Sequence, residues 1–278
     1  MTAIIIPAHN EATVIAQTLT VLLRQVGDGD EVVVVCNGCS DDTAAVARRF
    51  APRVTVLETD VPSKTNALNM GDRQARSFPR IYLDADIVLG DGALDRMVQS
   101  LEKGPWLAVA PDPQMNLEGA SWAVRAYYDV WLSLPYCRSG MIGAGVYVLS
   151  AAGRARFGDF PAVIADDGYV RAIFKEAERG RVADAQSMVR APRSLYWLIK
   201  IMGRSRLGTI ELGIKFPGLL ANEVKDYSGA LRGMIANPLN WPKVMVYLYV
   251  NLVSRFLAKR RLKNLDCYQW EKDVSSRT

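Results

Sequence analysis

A single histidine, His9, stands among 278 residues, which leaves no basis for a multi-histidine zinc centre. Cysteine is also scarce. Cys36-x-x-Cys39 has the form of a zinc or redox half-site, but Cys137 and Cys267 supply no second pair at ligand spacing, so both members are expected to shape a loop as free thiols. No internal repeat is present, and 13 prolines with 21 glycines are too few for a low-complexity or disordered chain. Apolar runs of membrane-spanning length are missing as well. The run ending at Ile6 is short and no basic segment precedes it, so an export signal is not expected and a cytoplasmic location is. The uncharged stretch Val244–Ser254 falls well short of the roughly 20 residues that cross a bilayer.

What the chain does have is half its residues hydrophobic, enough for a substantial core, and a length that predicts one large α/β domain with an appendage. Its charge is unevenly spread. Residues 1–191 hold 19 Lys and Arg against 23 Asp and Glu, whereas residues 192–278 hold 15 against 6. Those late basic residues alternate with long apolar stretches, a pattern that favours an anionic membrane surface over nucleic acid.

Short β-branched or apolar runs at 3–6, 31–35, 53–57 and 80–83 read as buried parallel strands. Helical periodicity fills the intervals at 11–25, 42–50 and 64–76, the last starting after Ser63. This β-α-β alternation predicts an open, mostly parallel sheet flanked by helices, with ligands at the carboxyl ends of its strands. Pro7–Glu11, Asn37–Asp42, Ser63–Lys64 and Asp84–Asp86 all fall there. The second half is expected to hold helices over 91–103 and 120–132, strands over 106–110 and 143–149, and an amphipathic helix opened by Asp166-Asp167. A basic helical region is expected from about Pro192, giving a catalytic domain over 1–191, divided near residue 110, and a C-terminal region over 192–278.

Asp84-Ala85-Asp86 follows the apolar run Ile81–Leu83. Two carboxylates at i and i+2 can face one pocket, where oxygen ligands suit a hard divalent cation bridging phosphate oxygens. With this tripeptide, Ile4–Glu11, Val34–Thr43, Lys64–Gly71 and Asp166-Asp167 together resemble, in order and spacing, the family-2 glycosyltransferases of the GT-A fold over roughly residues 1–180. The resemblance implies a metal-dependent inverting enzyme that moves a sugar from a nucleotide-diphosphate sugar to a hydroxyl acceptor, on a surface-polysaccharide or glycolipid route. A retaining enzyme is the runner-up, and a sugar nucleotidyltransferase is disfavoured because Pro7–Asn10 is no Gly-rich, Arg-containing loop.

Residue by residue, the resemblance assigns Pro7, Asn10 and Glu11 to the nucleotide-facing first loop, with Glu11 toward the ribose and His9 as a shaping, hydrogen-bonding neighbour. Asn37 and Asp41 correspond to the nucleobase loop, although many relatives carry Asp where Asn37 stands, which leaves the base open. Lys64 corresponds to a basic residue beside the diphosphate, Asp86 to a ligand of Mg2+ or Mn2+, and Asp84 to a partner of the ribose or of the metal. Asp167 corresponds to the general base, with Asp166 the second catalytic candidate, one of the two being expected to cap the helix. Arg204 and Arg206 fall where relatives often carry arginine near the diphosphate or acceptor; a basic, membrane-facing turn is the other reading.

One further expectation concerns the end of the chain. Read as a helix, Lys243, Tyr247, Asn251, Arg255 and Lys259 form a polar stripe, while Val244, Leu248, Leu252 and Phe256, joined by Met245, Tyr249 and Val253, form a broad apolar face. Followed by Lys259–Arg261 and Lys263, this is the pattern of an interfacial helix on an anionic membrane; packing on the core or on a partner subunit is the alternative.

Overall fold

A computed structural model describes residues 1–138, 145–222 and 234–262. The chain divides into two compact units, one of residues 1–114, 140–162 and 173–189, the other of residues 115–139, 163–172 and 190–278.

The first unit is built on an eight-stranded sheet. Its strands are β1 (Ala3–Ala8), β2 (Glu31–Asn37), β3 (Thr55–Thr59), β4 (Arg80–Leu83), β5 (Val88–Leu89), β6 (Ala108–Asn116), β7 (Val146–Leu149) and β8 (Arg179–Arg190), in the order β3-β2-β1-β4-β7-β6-β8-β5. The first four pair in parallel, with Ile5 opposite both Val33 and Tyr82. Their crossovers contain α1 (Ile15–Leu22), α2 (Thr43–Arg48) and α3 (Lys64–Gln74). Helices cover both faces, which is why these strands are continuous apolar runs. Ile4, Ile6, Val32 and Val34 pack with Ile15, Leu19 and Leu22, while Val33 and Val35 meet Ala67 of α3 on the other face. Each fully buried Ile or Leu stabilises the fold by about 1.5–3 kcal/mol.

Beyond β4 the sheet is mixed. β7 runs antiparallel to β4 and β6, and β8 runs antiparallel to β5. Two further helices, α4 (Ala93–Lys103) and the single turn α6 (Ala151–Arg154), belong to this unit. Asp72 of α3 is buried and accepts hydrogen bonds from Tyr82 at 2.8 Å, from Arg154 at 2.6 Å and from Arg80. One carboxylate thereby ties α3 to β4 and α6.

The second unit contains α5 (Trp122–Ser133), most of α7 (Asp166–Ile173), α8 (Leu195–Lys215) and α9 (Trp241–Arg261). Ser194 caps α8 by accepting the amide of Trp197 at 3.4 Å. Tyr127 of α5 stacks on Tyr247 of α9 with centroids 5.3 Å apart, and Lys243 of α9 pairs with Asp129 of α5 at 2.7 Å. No helix among the described residues is long and apolar enough to cross a membrane.

Several expectations need correction. β8 was not foreseen because its buried positions include the polar Arg179 and Ser187 and its exposed ones include Ala183 and Met188, so it forms no apolar run. Arg204–Gly208 is no turn: it lies inside α8, where Leu198, Gly203, Leu207, Gly208 and Leu212 are buried. The polar stripe predicted for the last helix is partly its packed face, since Tyr247 is buried and Asn251 holds Arg206. Gly143, Ala144, Lys263 and Cys267 lie outside the described residues.

Candidate active site

The carboxyl ends of β1, β2 and β4 lie on one edge of the sheet, and β1 sits where the strand order reverses. This is the position at which an open α/β sheet leaves a crevice for ligands. The first loop leaves β1 through His9 and Asn10, and Asn10 adopts a left-handed backbone at φ 55°. Asn tolerates that region better than bulkier residues, and its side chain is used at once: Oδ1 accepts the Ser40 amide at 2.7 Å. Nδ1 of His9 lies 2.6 Å from the carbonyl oxygen of Asn37, which joins the first loop to the end of β2.

The loop after β2 is stitched to the first. Asn37 is buried and donates from Nδ2 to the carbonyl of Ala8 at 2.9 Å. Cys39 Sγ accepts the Asn10 amide and donates to the Ala8 carbonyl, both at 3.4 Å. The Cys-x-x-Cys segment therefore braces the loop, with Cys36 buried beneath it; burial pushes its thiol up to about 12. Asp41 accepts the Ala12 amide at 3.2 Å, the Thr43 amide at 3.0 Å and the Thr43 hydroxyl. Thr43 Oγ1 in turn accepts the Glu11 amide at 2.7 Å. Partial burial raises the Asp41 carboxyl, but the hydrogen bonds from Thr43 and Ala12 outweigh it and hold the group below its ordinary value. Glu11 is itself buried, and its carbonyl accepts the amides of Val14 and Ile15 at the start of α1.

The acidic tripeptide follows β4. Its middle residue, Ala85, is buried, and its carbonyl accepts the Thr18 hydroxyl at 2.8 Å, which fastens the turn to α1. Asp84 and Asp86 flank it, both partly exposed. Lys64, the first residue of α3 after the Ser63 cap, places Nζ 2.7 Å from Asp84 Oδ1. The Asp84 amide donates to the Gly145 carbonyl at 2.7 Å, and Gly145 has φ 79°, where a Cβ would lie 2.6 Å from Ile87. Only glycine meets both demands. That requirement was not read from the sequence, where residue 145 fell simply within the strand expected over 143–149.

Among the described residues no group of three or more His, Cys, Asp or Glu side chains could enclose a metal ion. Two carboxylates and no closed cage fit a Mg2+-like or Mn2+-like ion that takes its remaining oxygens from a diphosphate and water. They do not fit a resident structural metal.

In the second unit, Asp166 and Asp167 open α7. Asp166 is buried, whereas Asp167 is partly exposed and accepts the Gly168 amide at 2.7 Å. On α8, Arg206 donates from Nε to Ser254 Oγ at 2.9 Å and from Nη2 to Asn251 Oδ1, so its guanidinium joins α8 to α9. Arg204 lies two residues earlier on the same helix, partly exposed.

Residues 3–139 match the family model for glycosyl transferase family 2. A poly-beta-1,6-N-acetyl-D-glucosamine synthase from Staphylococcus epidermidis is 30% identical over 116 residues, which take in 40% of this chain and 28% of the synthase. The chain thus aligns with little more than a quarter of that relative. Among solved structures, a mannosyltransferase from Pyrobaculum calidifontis in complex with GDP-Man and Mn2+ superposes over 96% of this chain and 81% of its own, with a TM-score of 0.63 at 22% identity. Glucosyl-3-phosphoglycerate synthase from Mycobacterium tuberculosis, in complex with Mn2+, UDP and phosphoglyceric acid, covers 77% of each chain with a TM-score of 0.54 at 16% identity. Both likenesses bear on the fold, which is GT-A. With the sheet order, the motif loops at its carboxyl edge and the family match over its first half, the chain belongs to glycosyl transferase family 2.

Proposed function

We propose that this protein transfers a sugar from a nucleotide-diphosphate sugar to a hydroxyl acceptor, with inversion at the anomeric carbon. The observation that carries the reading is the pairing of Lys64 with Asp84 at the carboxyl edge of the sheet, beside Asp86 and the two interlocked loops. A diphosphate needs positive charge and a cation site at that place, and these residues supply both. Glu11, with Pro7 and Asn10, is assigned to the nucleoside side of the donor, and Asn37 and Asp41 to the loop that frames the base. Their hydrogen bonds leave that loop preformed, so little ordering entropy is lost when a nucleoside docks.

Asp86, with Asp84, would hold Mg2+ or Mn2+ together with the donor diphosphate. A divalent cation bound there supplies Lewis-acid stabilisation of the negative charge that grows on the leaving oxygen. The two structural neighbours whose complexes contain Mn2+ support that choice of ion. Lys64 adds a second positive charge, and its ammonium can turn from Asp84 to a phosphate oxygen. Asp167 is assigned the proton of the acceptor hydroxyl, because it is the more exposed carboxylate of its pair while Asp166 is buried. The hydroxyl oxygen attacks the anomeric carbon as the bond to the diphosphate breaks, so one displacement inverts the centre without a covalent enzyme intermediate. The acceptor is read as a lipid-linked or polysaccharide intermediate and the working place as the cytoplasmic face of an anionic membrane, on the strength of the basic, apolar C-terminal region.

A screen of nucleotide sugars for thermal stabilisation with Mn2+ or Mg2+ tests the donor assignment and identifies base and sugar together. Stabilisation by one nucleotide family, lost on chelation, is the expected result. No response to any nucleotide sugar in the presence of either metal would count against it.

A further inference from the structure

The helix α9 is seated on its own unit by an unexpected face. Val244, Tyr247, Val250, Ser254 and Ala258 are buried, Tyr247 against Tyr127 and Ser254 under Arg206. The opposite side presents Trp241, Met245, Leu248, Leu252 and Phe256 at steps of four, three, four and four, a continuous stripe that stops short of the basic end of the helix. Met245, Leu252 and Phe256 are each more than 60% exposed, at 66%, 69% and 63%. A soluble monomer rarely leaves so large an apolar patch in water.

The ends and edge of the stripe show what covers it. Trp241 marks its amino-terminal end, with Nε1 donating to the Ile235 carbonyl at 2.9 Å, and Tyr249 lies exposed beside it. These are the side chains that settle at the boundary between water and acyl chains. Arg255, Lys259 and Arg260 are exposed at the other end, and α9 contains no acidic residue. A second copy laid on the stripe would meet another basic helix with no carboxylate to pair, so charge disfavours that occupant. Anionic lipid headgroups match the basic end, and acyl chains match the stripe.

We infer that the outward face of α9 enters the interfacial layer of an anionic bilayer, with the helix axis in the membrane plane and the Arg255–Arg260 end among the headgroups. The inference deepens the membrane reading above and rests on it for the acceptor's location; it does not depend on the donor chemistry. It also fits α9 as a helix that cannot cross a membrane. The lipid-facing set is the stripe from Trp241 to Phe256, while Lys243 and Asn251, assigned by periodicity to the polar face, bind Asp129 and Arg206 within the protein.

The test uses the full chain with phosphatidylglycerol-rich vesicles and, as control, pure phosphatidylcholine vesicles. Co-sedimentation should be strong with the anionic vesicles and weaken as salt rises. Removing three charges with Arg255→Ala, Lys259→Ala and Arg260→Ala should lower partitioning about a hundredfold, from roughly fivefold per basic residue near the surface. The pair Leu252→Glu and Phe256→Glu alters only exposed positions and should abolish binding at every salt concentration. Brominated acyl chains should quench tryptophan emission in the wild type, and less so after Trp241→Phe. Failure of the wild type to bind anionic vesicles at low salt overturns the inference, and a dimer dissociated by the Leu252→Glu, Phe256→Glu pair would assign the stripe to a second copy instead. Stabilisation by nucleotide sugar with Mn2+, measured without vesicles, separates the two outcomes: its loss undermines the transferase reading and leaves this one untouched.

Discussion

Lys64 Nζ lies 2.7 Å from Asp84 Oδ1, so the first carboxylate of the acidic tripeptide already carries a counter-charge before any donor is bound. The pair joins the start of α3 to the end of β4, two segments 20 residues apart in sequence that the parallel crossover brings to one sheet edge. Because both side chains are only partly exposed, the ion pair is screened less than a surface pair.

That relationship makes Lys64→Ala informative. If Lys64 meets the donor diphosphate as proposed, the substitution removes a charge-assisted contact worth about 1.5–3 kcal/mol, and kcat/KM should fall roughly 10- to 100-fold. The fold should persist, since the helix cap belongs to Ser63. Steady-state kinetics alongside a melting curve check both halves.

Gly145→Ala should act through the backbone under the Asp84–Asp86 turn. A residue with a side chain at φ 79° costs about 1–3 kcal/mol, and its Cβ would approach Ile87 to 2.6 Å, next to the amide that Asp84 donates. Melting temperature and turnover should fall together. Gly158→Ala is the control: nothing lies within 4 Å of an added Cβ there, and stability should change by no more than about 0.5 kcal/mol.

The loop carrying Asp41 should show its own acid sensitivity. Hydrogen bonds hold the folded-state pKa of Asp41 below its ordinary value of 3.8. A depressed carboxylate contributes stability that is fully present above the unfolded value and lost as pH falls through the folded one. Wild-type stability should therefore decline as pH drops below about 4. Asp41→Asn should be less stable at pH 7 and have a flatter acid limb, measured by urea unfolding between neutral pH and the acid transition. Identical pH dependence in the two proteins would show that the Ala12 and Thr43 contacts do not bear on stability.

The parallel half of the sheet was legible in the sequence because burial on both faces demands uninterrupted apolar strands, as in Ala3–Ile6 and Val32–Val35. The loops of the site were legible for a related reason: each leaves a recognisable strand, and chemistry then restricts which residues can stand there. β8 escaped because it buries Arg179 and Ser187 beside Val182 and Ala185 and exposes Asp184 and Gln186, so its sequence resembles a surface segment until a neighbouring strand is supplied. The packed side of α9 escaped for a different reason. Periodicity groups residues by face but does not say which face meets the protein, and here the contacts of Tyr247 with Tyr127 and of Asn251 with Arg206 outweigh burial of the more apolar side. Arg206 shows the same lesson, since a charged residue in a promising region serves helix packing.

The central claim is that Asp86 and Asp167 do different work in one sugar transfer. Release of nucleoside diphosphate from the best-binding nucleotide sugar, with acceptor and Mn2+ present, measures it most directly. Asp86→Ala should abolish release and weaken metal-dependent donor binding. Asp167→Asn should lower turnover roughly a hundredfold or more while donor binding stays nearly constant, because it removes proton acceptance and little else. Asp166→Asn should be milder. Full release in excess chelator, or by the Asp167→Asn protein, would contradict the account.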